Sequence, residues 1–308
     1  MEGHISMTTI TPSKPYRDHL LRPGNTNCAG CGMSVGLQWL DEALGDKEPV
    51  MVIPSCCGIV TAGTFPTSGY GMPTAATTFA SSPAVATGIT TVVNMNDFDN
   101  PVICWAGDGG TYDIGLATLS AAAERNEDII YICYDNEIYG NTGGQRSSAT
   151  QIGAATSTTS AGKPEGKKDI MAIMAAHRIP YAATLSIGNR KDFLRKVRYA
   201  ISVKGFRFLL MLSPCPTGWK SEPDQSTELV ELAVRSGLFP LYEVFDGVRY
   251  RINQRPDSTP VASYLQQQNR FRRLWANPEQ LQAHIDAQWR YLEGMATVFP
   301  AKDAPSTR

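Results

Sequence analysis

PVICWAGDGGTYDIGLATLSAAAERNEDIIYICYDNE, residues 101–137, reads as strand, glycine turn, helix and strand. Residues 101–105 form an apolar run of strand length, and 106–110 carry three glycines. Residues 115–125 bring Leu116, Leu119 and Ala123 to one helical face, and 129–134 form a second apolar run. Strand, helix and strand within ~35 residues make a βαβ unit, whose strands run parallel. Open parallel sheets bind ligands beyond the carboxyl ends of their strands. Asp108 follows the first strand, and Asn136 follows the second, 28 residues later. The crossover therefore returns both side chains to one edge of the sheet. A carboxylate and an amide oxygen, together with diphosphate oxygens, suit Mg²⁺, a hard cation that takes few protein ligands. Gly107, Gly109 and Gly110 let the backbone approach a phosphate, and the helix that follows offers its N-terminus. Gly-Asp-Gly alone is a common turn, and Asp-Asn also favours turns. The combination of GDGGTYDIG, the 28-residue interval and DNEIYGNTGGQ is far more specific.

The alternation continues on both sides. Residues 33–44 have helical spacing, 49–54 read as a short strand, 61–77 as a long loop and 82–95 as a small-residue helix. After a loop at 140–163 rich in Gly, Ser, Thr and Ala come helix 169–177, strand 180–184, helix 191–203 and strand 208–212. A loop of that length in a compact protein is functional or disordered. The pattern predicts an α/β fold with a doubly wound, mostly parallel sheet. Residues 1–27 read as an extended arm interrupted by Pro12, Pro15 and Pro23; 28–220 form the binding domain. Residues 221–308 read as a polar, helical C-terminal extension with helices near 225–236, 261–274 and 278–295.

Composition narrows the function classes. Apolar residues make up 42% of the 308 residues and charged residues 19%, which implies much buried surface. A formal net charge of −1 gives no electrostatic case for nucleic acid or an anionic membrane. No apolar run approaches the ~18 residues of a transmembrane helix. Residues 1–16 lack the apolar core of a signal peptide, so a cytoplasmic location is expected.

Seven cysteines, at 28, 31, 56, 57, 104, 133 and 215, are an odd number and argue against a disulfide framework. Cys104 and Cys133 lie in apolar runs and read as buried small hydrophobes. The others lie in turns. Cys28 and Cys31 form a C-x-x-C before a helix, open to a redox dithiol, a zinc half-site or an iron–sulfur half-site. A non-catalytic zinc-binding protein is thus one rival reading. Four histidines form no nucleophilic arrangement, and His177, ending a helix, suits a dipole-favoured position. Arg146 reads as a solvated loop residue or an anion contact. Arg270, Arg272 and Arg273 read as a solvated helix face or a subunit contact.

Taken together, CAGCG (28–32), GDGGTYDIG (107–115), YDNEIYGNTGGQRSSAT (134–150), MAAHRIPY (174–181) and SPCPTGW (213–219) carry a resemblance. Over residues 24–220 the chain resembles the thiamine-diphosphate-binding β subunit of 2-oxoacid:ferredoxin oxidoreductases, the pyruvate synthase group. The resemblance implies that Asp108, Asn136 and the Ile138 carbonyl hold Mg²⁺. It places Asn141 and Thr142 near the thiazolium and substrate, and Thr111, Tyr112 and Asp113 in the cofactor pocket. It implies a 4Fe-4S cluster on Cys28, Cys31 and Cys215 with either Cys56 or Cys57. The distance to Pro66 favours Cys57, leaving Cys56 a free thiol beside the cluster. Such a cluster answers a physical need, because decarboxylation of a 2-oxoacid leaves two electrons and ferredoxin accepts one at a time.

The implied partners are an α subunit supplying the glutamate that activates the thiamine ring, γ and ferredoxin-like δ subunits or fusions, and ferredoxin. The isolated chain is then expected to be inactive. Pyruvate with coenzyme A is the expected substrate class. Two departures keep oxalate, which would need no coenzyme A, as the alternative. Asn25 stands where many family members have histidine, and the loop 63–84 is rich in threonine and serine.

Overall fold

The computed structural model describes residues 19–301 except Phe65, Thr67 and Ala276. The expected arm therefore lies mostly outside the described residues. Eight strands form one sheet in the order β2-β1-β3-β4-β6-β5-β7-β8. They are β1 (Val50–Pro54), β2 (Thr74–Thr77), β3 (Val102–Gly107), β4 (Ile130–Asp135), β5 (Tyr181–Ser186), β6 (Arg207–Leu212), β7 (Leu241–Phe245) and β8 (Arg249–Gln254). The first six are mutually parallel, and every residue of β3, β4, β5 and β6 is buried. Parallel strands this apolar require cover on both faces.

The helices supply that cover. They are α1 (Gly32–Leu44), α2 (Cys57–Val60), α3 (Ser82–Met95), α4 (Leu116–Glu124), α5 (Ile170–Ala176), α6 (Arg190–Ser202), α7 (Pro216–Trp219), α8 (Ser226–Arg235), α9 (Val261–Gln266) and α10 (Glu279–Val298). Helix α1 packs on α6, where Trp39 meets Phe193 edge-on at 5.4 Å, and α3 packs on α4. Starts follow local chemistry: Asp169 accepts from Ala172 N at 2.9 Å and Asn189 from Asp192 N at 3.2 Å, as N-cap side chains do.

The C-terminal segment differs from expectation. It contributes helices, but it also adds β7 antiparallel to β5 and β8 antiparallel to β7, extending the same sheet. The two strands are hard to read because β7 carries the buried Glu243 and β8 is half polar. Arg195 makes this possible, donating to both Glu243 carboxylate oxygens at 2.9 and 2.8 Å. The expected helix over 261–274 stops at Gln266, because Gln268 is extended and a tight turn follows. Short β2 lies within the stretch expected to be loop, and short α2 falls between that stretch and β1. Among the described residues no helix is long and apolar enough to cross a membrane.

Candidate functional site

Four adjacent strands deliver the site. Cys57 follows β1, Asp108 follows β3, Asn136 follows β4 and Cys215 follows β6. The chain order reverses between β1 and β3, since β2 flanks β1 on the other side. A doubly wound sheet opens its binding crevice at such a switch point. A cleft of about 310 Å³ opens here, lined by residues that include Cys57, Asp108, Gly110, Asn136, Ile138 and Tyr139.

The expected metal ligands are brought together. One terminal atom of the Asn136 amide lies 2.7 Å from the Ile138 carbonyl oxygen and 2.8 Å from an Asp108 carboxylate oxygen. With the amide nitrogen there, both are hydrogen-bonded. With the amide oxygen there, three oxygens converge as they would on a hard cation, so the donor set fits Mg²⁺. Ser147 also donates to the Asp108 carboxylate. Burial, and then the charge of Asp135, push the Asp108 carboxyl well above the usual carboxylate range. A divalent cation would reverse that penalty.

Residues 109–113 form a single wide turn in which Ile114 N donates to Gly109 O at 3.2 Å, a π-type turn of the kind often found at functional sites. It turns two of the expected pocket side chains away. Thr111 donates to Gly107 O at 2.8 Å, and Tyr112 donates to Asp135 Oδ2 at 2.7 Å. Neither side chain lines the cleft; Tyr112 instead borders a second cavity of about 240 Å³ near α10. Asp113 accepts from Tyr139 OH at 2.8 Å at the cleft margin. Asn141 and Thr142 line the cleft as exposed residues. Tyr139 and Phe79, stacked with ring centroids 6.0 Å apart, form an aromatic wall that the sequence reading missed. A Cβ on Gly109 would lie 2.3 Å from the Tyr139 ring, so glycine is needed for this close approach.

The cysteines fall into two groups. Cys31 feels the charges of Cys215 and Cys28, Cys57 those of Cys215, Cys56 and Cys31, and a Cβ on Gly140 would meet the sulfurs of Cys57 and Cys215 at 3.7 Å each. Burial and then its thiol neighbours push Cys57 up to about 12, and burial followed by Cys215 and Cys28 push Cys31 up to about 11. Cys56 instead donates to Pro54 O at 2.8 Å beside Tyr134. Cys104 and Cys133 are fully buried in β3 and β4, as expected. Among the described residues no three His, Cys, Asp or Glu side chains converge on a single-ion site. A four-iron cluster instead asks for four thiolates around a larger volume. The thiols of Cys31, Cys57 and Cys215, all pushed up by burial, fit that requirement with Cys28 beside them, because binding to iron stabilises the thiolate form.

Two arginines settle differently from each other. Arg146 reaches Glu165 at 3.4 Å as an exposed pair, whereas Ser147 beside it turns into the site. Arg270, expected on a solvated face, is buried against Glu137 at 2.8 Å. Helical periodicity placed it on the surface, and the helix ends before it.

This fold and cleft define a thiamine-diphosphate-binding domain. Residues 56–211 match the family of the thiamine pyrophosphate enzyme, C-terminal TPP binding domain. The chain belongs to the β subunits of 2-oxoacid:ferredoxin oxidoreductases. It is 40% identical over 300 residues to the ketoisovalerate oxidoreductase subunit VorB of Pyrococcus furiosus, covering 92% of this chain and 96% of that one. It is also 40% identical over 291 residues to the pyruvate synthase subunit PorB of Methanocaldococcus jannaschii, covering 90% and 97%. The 2-oxoglutarate:ferredoxin oxidoreductase of Magnetococcus marinus shares the fold, with a TM-score of 0.56, 24% identity and coverage of 67% of this chain and 77% of that one. The subunit names of the relatives mark them as parts of multi-subunit oxidoreductases.

Proposed function

We propose that this chain binds the Mg²⁺–diphosphate end of thiamine diphosphate and a 4Fe-4S cluster, within a complex that oxidatively decarboxylates a small 2-oxoacid. The observation that carries this reading is one juxtaposition: the Asn136 amide meets the Asp108 carboxylate and the Ile138 carbonyl at the ends of β3 and β4, and the strands that flank these two lead into Cys57 and Cys215. Asp108, the Asn136 side chain and the Ile138 carbonyl hold Mg²⁺. Gly107, Gly109 and Gly110 let the diphosphate approach the backbone. Cys28, Cys31, Cys57 and Cys215 ligate the cluster. Asn141 and Thr142, exposed in the cleft, face the reacting end. When bound, the thiamine supplies the electron sink for loss of CO₂, and the cluster passes electrons singly toward ferredoxin.

Pyruvate with coenzyme A is the proposed substrate pair, and the complex is placed in the cytoplasm. The α subunit contributes the ring-activating glutamate, and γ and δ subunits or fusions complete the electron path. The test is the natively purified complex. Its iron, acid-labile sulfide and thiamine are measured, and ferredoxin reduction is assayed with pyruvate, ketoisovalerate and oxalate, each with and without coenzyme A. Coenzyme A-dependent turnover of pyruvate supports the proposal. Turnover of oxalate alone, without coenzyme A, replaces the substrate assignment. A complex with zinc and no thiamine overturns the whole reading.

A further inference from the structure

The turn after α9 sets one arginine against three of the segments that surround the site. Arg270 is 2% exposed. It donates from Nη2 to Glu137 Oε2 at 2.8 Å and to Tyr264 OH at 3.1 Å, and from Nε to Gln268 Oε1 at 2.8 Å. Its guanidinium lies 3.9 Å from the ring centroid of Trp219, the last residue of α7. Trp219 in turn donates to the Asn136 carbonyl at 2.7 Å. The Arg270 carbonyl accepts from Ala155 N at 2.8 Å, and Asn269 N donates to Lys220 O at 3.2 Å. One turn thus joins the Asn136–Ile138 segment, the segment after Cys215 and the loop at 140–163.

Glu137 explains why a charge is needed there. It lies between two proposed Mg²⁺ ligands with φ at +62, a backbone conformation costly for a non-glycine residue. Its buried carboxylate is held by Arg270, by Lys167 at 2.9 Å and by Gln151 at 3.0 Å. Anchoring that side chain fixes the direction of the Asn136 amide before it and the Ile138 carbonyl after it. A planar fork serves this role where an ammonium does not, because it bonds several acceptors and stacks on an indole together.

We infer that Arg270 is a positioning residue, setting through Glu137 and Trp219 the geometry of both the Mg²⁺ turn and the Cys215 turn. The inference rests on the cofactor reading given above. Its test compares the intact complex with Arg270→Met, Arg270→Lys and Glu137→Gln variants. Arg195→Met, which breaks the ion pair with Glu243, serves as a stability control. The readouts are Mg²⁺-dependent thiamine diphosphate affinity and the electron paramagnetic resonance spectrum of the reduced cluster.

Arg270→Met is expected to weaken cofactor binding by about 10- to 100-fold, the range for lost outer-sphere support of a metal site. It is also expected to alter the cluster spectrum. Arg270→Lys recovers only part of either effect, and Arg195→Met lowers the melting temperature while leaving both readouts unchanged. The inference is overturned if Arg270→Met melts earlier yet keeps wild-type affinity and spectrum. If Arg270→Met does not fold, Arg270→Lys and Glu137→Gln decide by the same two readouts. A wild-type complex lacking thiamine or iron overturns the functional reading itself, and this inference with it.

Discussion

The indole N–H of Trp219 donates to the backbone carbonyl of Asn136 at 2.7 Å, bonding the turn after β6 to the turn after β4. Trp219→Phe keeps most of the ring and leaves that buried carbonyl without its partner. An orphaned buried acceptor costs about 1–3 kcal/mol. Denaturant unfolding of the variant measures the loss, and a stability equal to wild type would remove this bond from the account.

Cys56 and Cys57 separate by substitution. Cys57→Ser is expected to lose the iron and sulfide of the complex and the brown absorbance that accompanies them. Cys56→Ser keeps both near wild-type levels, because its thiol is engaged with Pro54 O. The reverse outcome would exchange their assignments.

Gly109→Ala drives a methyl group to 2.3 Å from the Tyr139 ring, which is held by Asp113 at 2.8 Å. Overpacking of this kind costs about 1–3 kcal/mol, or roughly 5- to 150-fold in an equilibrium. Thiamine diphosphate titration of the cofactor-stripped complex is expected to show a loss in this range. Adding Tyr139→Leu should restore part of it; a single variant that binds normally counts against the close approach.

Acid stability has a component at Glu243. Burial alone raises its carboxyl, but the hydrogen bond from Arg195, the charges of Lys196 and Arg195 and the bond from Asn253 outweigh it and hold the carboxyl below its usual range. A depressed carboxylate stabilises the fold above its unfolded value of about 4.3 and loses that contribution as pH falls through the folded value. Glu243→Gln should flatten the stability–pH curve below about pH 4.3. At neutral pH it should cost about 3 kcal/mol, the low end for breaking a buried pair. Urea unfolding across this pH window checks both, and an unchanged acid limb would show that other carboxylates set it.

The parallel core was legible because its strands are continuous apolar runs separated by helices of clear period. The approach of Asp108 to Asn136 followed from the handedness and direction of one crossover, which two residues at strand ends make visible. The inward bonding of Thr111 and Tyr112 was not legible because a wide π-type turn rotates side chains differently from an ordinary helical start. Glu243 and Arg270 were illegible for a shared reason. Each is a charged residue buried by a partner distant in sequence, Arg195 in one case and Glu137 in the other. No local pattern records such a pair, so the antiparallel edge formed by β7 and β8 emerged only in three dimensions.

The four strand ends that carry Cys57, Asp108, Asn136 and Cys215 are neighbours in one hydrogen-bonded ladder. Neighbouring strands are held about 4.8 Å apart by backbone bonds that no side chain sets. The sheet therefore acts as a ruler between Cys57 and Cys215 at its flanks and the proposed Mg²⁺-binding oxygens between them. Electron transfer depends steeply on such a separation, yet sequence drift in the core leaves it unchanged for as long as the strands pair. Changes at the exposed rim, at Asn141 and Thr142, leave the interval beneath it untouched.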